Sequence, residues 1–150
     1  MSRALGGAAS LSPYVRRKVT EVTAGSYKLR MSYDLSFWKQ PPGFGVPAQQ
    51  VYERLCDGQP VQGLERLPVQ AFLARVRQTF PGTQEHTETL DGEGRQSGSF
   101  QVSWSSQHVR VDGYGLDHLT MNKFIDIAAE FGCALYDPQT GVRYDADQAA

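Results

Sequence analysis

Residues 27–38, which read YKLRMSYDLSFW, are the stretch that decides the fold class. Apolar and polar residues alternate through it, and a period of two places one set of side chains on each face of a β-strand. The apolar set is Tyr27, Leu29, Met31, Tyr33, Leu35 and Phe37. The segment therefore predicts a long strand with one buried face, and it puts Trp38 on the opposite face.

The segments that follow predict an α+β fold. Apolar stripes at helical spacing indicate amphipathic helices over about 68–80 and 120–131, with Asp117 or Thr120 as the N-cap of the second. Short apolar runs predict strands near 100–104, 109–111, 133–136 and 142–144, and the polar, Gly-rich residues 82–98 predict an exposed, mobile loop. The order is then β-α-β-β-α-β, a ferredoxin-like antiparallel sheet with helices on one face, plus a short extra helix at 47–55 and a C-terminal edge strand.

Charge divides the chain into a basic arm and an acidic body. Residues 1–30 carry a net charge of +5 and residues 31–150 a net charge of −6. We interpret residues 1–26 as a basic, partly disordered N-terminal arm, residues 27–145 as a single α+β domain and residues 146–150 as a frayed tail. The acidic body disfavours nucleic acid and favours a basic protein partner.

Other sequence features favour a cytoplasmic protein without a cofactor. No apolar run approaches the ~20 residues that span a bilayer. The wide spacing and apolar neighbours of Cys56 and Cys133 predict two buried, reduced thiols. The three histidines lack metal-binding spacing, and no nucleophile or phosphate-loop motif occurs. The sequence thus favours a non-enzymatic function over an enzyme.

The face of the sheet that points away from the helices is the candidate interface. An exposed Trp on such a face is a favoured anchor for a protein partner, and carboxylates steer a basic one. The alternative left open is that residues 1–26 or the loops cover this face. The candidate partner-binding residues are Asp34, Trp38, His108, Arg110, Asp112, Tyr114, Asp126 and Glu130.

Two rival functions remain. A small-molecule-binding protein or enzyme would use a cleft near residues 112–118, where Asp112, Tyr114, Asp117 and His118 lie close in sequence, although capping of a helix is the stronger interpretation of Asp117. A homo-oligomeric structural protein would pair its open sheet faces or its edge strand at 142–144.

Two segments carry a resemblance to a set of small, mostly uncharacterised bacterial proteins. Residues 31–38 read MSYDLSFW and residues 131–141 read FGCALYDPQTG. They resemble the opening M-S-Y-D-L-x-F-W and the closing L-Y-D-P-Q-x-G of that set, over roughly residues 31–145. Some such small acidic proteins are encoded beside secreted toxins and act as immunity proteins. The resemblance implies an immunity-type inhibitor that neutralises a basic toxin or nuclease by occlusion.

Overall fold

The structure is a computed structural model that describes residues 32–144, and the predictions for residues 1–26, 27–31 and 145–150 lie outside them. Seven strands and three helices are described, and they confirm the α+β class. They are β1 (Ser32–Trp38), α1 (Ala48–Cys56), α2 (Val69–Thr79), β2 (Gln84–Glu85), β3 (Thr89–Glu93), β4 (Ser99–Ser105), β5 (His108–Tyr114), α3 (His118–Glu130), β6 (Ala134–Asp137) and β7 (Val142–Tyr144).

All seven strands form one antiparallel sheet in the order β2-β3-β4-β5-β1-β6-β7. The exact ferredoxin-like order is not supported, because two further strands, β2 and β3, precede β4 and enlarge the sheet to seven strands. The loop predicted over 82–98 instead contains β2 and β3. Periodicity did not predict these two strands because their side chains are mostly polar, and only Leu90 of β3 is buried.

The first face of the sheet packs against α2 and α3, as the apolar stripes predicted. Leu35 lies opposite Val111, which lies opposite Val102, so these side chains share one face. The helices contribute Phe72, Leu73, Val76, Met121, Phe124, Ile125 and Ala128 to the same core. Asp117 caps α3 by accepting the backbone N–H of Thr120 at 2.9 Å, which confirms the capping interpretation.

The second face is covered in part by residues 39–67, which include α1. Trp38 packs there with Val51, Leu55, Val61, Leu64 and Tyr136 in a second apolar cluster. Trp38 is 0% exposed and His108 is 4% exposed. Cover by loops of the chain itself, the alternative left open for this face, is therefore what is observed at Trp38, because residues 39–67 bury the indole. We call this half of the second face, around Trp38 and His108, the covered half.

Among the described helices, none combines the length and apolar character needed to cross a membrane.

Candidate functional site

The rest of the second face, beyond α1, carries polar side chains in register across four strands. We call it the open half. One row runs Asp34, Asp112, Gln101, Asp91 across β1, β5, β4 and β3, because each residue lies opposite the next. The neighbouring row lies at the ends of the same four strands and consists of Ser32, Tyr114, Ser99 and Glu93. The open half therefore presents four carboxylates and one aromatic ring on a single surface.

Arg110 lies one row away and links two of these carboxylates. Its Nε donates to Asp112 Oδ1 at 2.8 Å, and its Nη2 donates to Asp34 Oδ2 at 3.4 Å. Asp34 and Asp112 are directly opposite each other, and like charges in that position destabilise a sheet. The guanidinium offsets this repulsion, but one cation does not neutralise two carboxylates.

Asp34 retains its proton more strongly than an ordinary carboxyl group. Burial, together with a hydrogen bond to Asp112 and the charge of Asp112, raises the pKa of Asp34 to about 6, and Arg110 opposes that rise. Asp34 is thus mostly protonated below about pH 6. Ionisable groups perturbed in this way concentrate at functional sites.

Helix α1 supplies the border between the two halves. Cys56, at its last turn, is exposed, so its predicted burial is wrong, whereas Cys133 is buried as predicted. Cys56 accepts a weak hydrogen bond from Arg110 Nη1, with the sulfur 3.6 Å away. Burial and a hydrogen bond to Cys56 raise the pKa of Tyr52 far above its usual range. Nothing in the sequence identified Tyr52 or Cys56 as part of a site, because contact with Arg110 depends on where α1 packs on the sheet.

A serine–histidine contact in the covered half does not form a catalytic site. The Ser36 hydroxyl and His108 Nε2 are hydrogen bonded, but Ser36 is 0% exposed, so no substrate reaches it. Burial, with the charge of Arg110, lowers the pKa of His108 to about 4. The ring is therefore neutral at pH 7.

The predicted interface residues fall into three groups. Asp34, Arg110, Asp112 and Tyr114 come together on the open half, while Trp38 and His108 lie beneath α1 and its flanking loops. Asp126 and Glu130 lie on α3, which packs on the opposite face. Glu130 is held there by Arg75, with both its oxygens 2.8 Å from guanidinium nitrogens.

The predicted cleft near residues 112–118 does not bring its carboxylates together. Asp112 is bonded to Arg110 on the open half. Asp117 accepts hydrogen bonds from Thr120 and from the backbone N–H groups of Gln96 and Ser97. Within residues 32–144, no three His, Cys, Asp or Glu side chains are placed to hold a metal ion.

Comparisons with known proteins supply no relative: no protein-family model matches the chain, and no match is found among curated proteins or solved structures.

Proposed function

We propose that the protein is a non-enzymatic binding module whose open half receives a basic protein partner. The observation that carries this proposal is the row of Asp34, Asp112 and Asp91 beside the exposed ring of Tyr114. Aromatic side chains anchor protein interfaces, and carboxylates around them steer cationic partners. With Trp38 buried, Tyr114, which is 54% exposed, takes the role of anchor.

The more specific form of the proposal is an immunity-type inhibitor that neutralises a basic toxin or nuclease by occlusion. Residues 32–144 carry thirteen acidic and nine basic side chains, a net charge of −4, which favours a basic target. The resemblance of residues 31–38 and 131–141 to proteins encoded beside toxins supports the same class. A surface built on β-strands suits occlusion, because rigid elements lose little entropy when a partner binds.

The proton on Asp34 gives the proposed contact a specific chemistry. A lysine or arginine of the partner, placed beside Asp34, would favour the ionised form of that carboxyl group. Association would then release a proton below neutral pH. Binding is expected to strengthen as the pH rises through about 6, the pKa of Asp34.

The test is association with purified basic toxin or nuclease domains encoded beside the gene, measured at low and high salt. Tyr114→Ala should weaken binding by roughly tenfold or more, and Asp34→Asn with Asp112→Asn should slow association and flatten its salt dependence. Leu119→Ala and Asp126→Asn on α3 are matched controls, since Leu119 is 43% exposed on the other side of the molecule. Equal effects of both sets of variants would contradict the proposal.

A further inference from the structure

A groove with a volume of about 540 Å³ lies between α3 and the turn that follows β3. Pockets for small molecules have volumes of roughly 300–1,000 Å³. Its lining residues are Arg95, Gln96, Leu119, Asn122, Lys123 and Asp126. None of them belongs to the strands of the open half, so the groove is separate from the proposed protein interface.

The wall formed by residues 94–98 is fixed in place by hydrogen bonds to α3. Arg95 N donates to Thr120 Oγ1 at 2.8 Å, and Asp117 Oδ1 accepts from Gln96 N and Ser97 N at 3.2 Å each. Gly98, with φ of +80°, allows the turn to approach β5, since a Cβ there would lie 2.3 Å from the Gly115 carbonyl oxygen. The groove is thus formed before any ligand arrives.

Asn122 presents an unsatisfied hydrogen-bond acceptor. Its Oδ1 is buried and has no hydrogen-bond partner among the described residues. A buried polar atom left without a partner costs about 1–3 kcal/mol, and such an atom in a native structure calls for a missing donor. Asn122 lines the groove, and a change of its side-chain rotamer would turn Oδ1 into the groove, where a hydroxyl or N–H group of a ligand would satisfy it.

The charges of the groove favour an anion with a single charged group. Arg95 and Lys123 both line it, and within residues 32–144 no salt bridge engages either side chain. A guanidinium and an ammonium group together suit a phosphate. Asp126, which already has an interaction partner, adds one carboxylate that would repel a second anionic group.

We propose that this groove binds a small hydroxylated phosphate monoester, in which Arg95 and Lys123 hold the phosphate and Asn122 Oδ1 accepts from a hydroxyl group. Leu119, a partly exposed apolar side chain in the same lining, contacts the ring that carries those groups. A sugar phosphate and a nucleoside monophosphate share this chemistry.

The experiment is titration of the full chain with ribose 5-phosphate, adenosine 5′-monophosphate, inorganic phosphate and ribose, followed by calorimetry and amide chemical shifts. We expect saturable binding of at least one ester, with shifts at residues 95–97 and 119–126. Arg95→Gln with Lys123→Gln should weaken it about tenfold or more. Tighter binding of adenosine 5′-monophosphate than of ribose 5-phosphate would identify the nucleotide as the preferred ester.

Matched controls separate this site from general attraction of anions. Arg54→Gln with Lys39→Gln removes the same charge from the segment that covers the second face, and it should leave binding unchanged. Asn122→Ala should bring the affinity for ribose 5-phosphate down towards that for inorganic phosphate. Absence of saturable binding by both esters, or equal weakening by the two charge variants, would overturn the proposal. Equal affinities of wild type and Asn122→Ala would overturn the hydroxyl contact.

Discussion

The covered and open halves of the second face share two strands, β1 and β5, yet they differ in burial and in charge. Along β1 the side chains pass from Trp38 through Ser36 to Asp34, and along β5 from His108 through Arg110 to Asp112. The first members of each series are buried, and the last members are partly exposed and charged. The side chains therefore change from buried to partly exposed within about 14 Å, the length of four strand residues.

The difference shows that coverage, and not strand periodicity, separates core from candidate interface. Alternation alone places Trp38 and Asp34 on the same face and predicts the same solvent exposure for both side chains. Residues 39–67 decide between them, because the apolar side chains of Val51, Leu55, Val61 and Leu64 pack on Trp38.

Truncating the indole of the covered half should have the largest effect. Trp38→Ala is expected to lower the free energy of unfolding by about 3–5 kcal/mol, because it removes a fully buried aromatic side chain. Tyr114→Ala on the open half is the matched control and should cost less than about 1 kcal/mol, since that ring is exposed. Urea unfolding measures both. Similar losses for the two variants would show that Trp38 is not packed as described.

His108 should make the protein less stable in acid. Its pKa is lowered to about 4 by burial and by Arg110, so the folded state resists protonation that the unfolded chain accepts near pH 6.5. The stabilising contribution is present above pH 6.5 and is lost as the pH falls towards 4, by about 2–3 kcal/mol. His108→Gln should abolish that loss in urea unfolding followed across this range. An unchanged pH profile would contradict the neutral, buried ring.

Asp34 should act in the opposite direction over much of the same pH range. Its pKa is raised to about 6, so its contribution to stability is present below pH 3.8 and is lost as the pH rises through about 6. Asp34→Asn should remove a loss of about 1–2 kcal/mol between pH 4 and pH 6.5. Because His108 and Asp34 oppose each other, the wild-type profile should be flatter than that of either variant. A steeper wild-type profile would sink this assignment.

Cysteine labelling should identify Cys56, at the border between the two halves, as the accessible thiol. Replacing that residue should hardly change the stability of the protein. Cys56 is exposed, whereas Cys133 is buried and burial raises its pKa to about 12. One thiol should therefore react with a maleimide in the native protein, and the second only after unfolding. Cys56→Ser should abolish native labelling while changing stability by less than about 0.5 kcal/mol. Native labelling that persists in that variant would place Cys133 at the surface.

Part of this arrangement follows from local pattern. The period of two in residues 31–38 assigns Asp34, Ser36 and Trp38 to one face, and the register with β5 agrees. Likewise, the stripes of α2 and α3 identify the helices of the first core. These features depend on neighbours in sequence, which periodicity reports.

The remainder depends on contacts between distant segments. Residues 39–67 carry apolar side chains without a regular period through the loops, so nothing local shows that they settle on Trp38. β2 and β3 have few buried side chains, and their pairing with β4 comes from backbone hydrogen bonds. The contact of Arg110 with Cys56 spans 54 residues and follows from the placement of α1.

The carboxylate of Asp117 joins two segments that would otherwise open separately. It accepts hydrogen bonds from Thr120 in α3 and from Gln96 and Ser97 in the turn after β3, about twenty residues earlier. Since a single side chain holds all three amides, the helix start and the turn should share one opening event. Their amide hydrogens would then exchange with solvent at a common free energy, and the wall of the groove would persist as long as the first turn of α3 does.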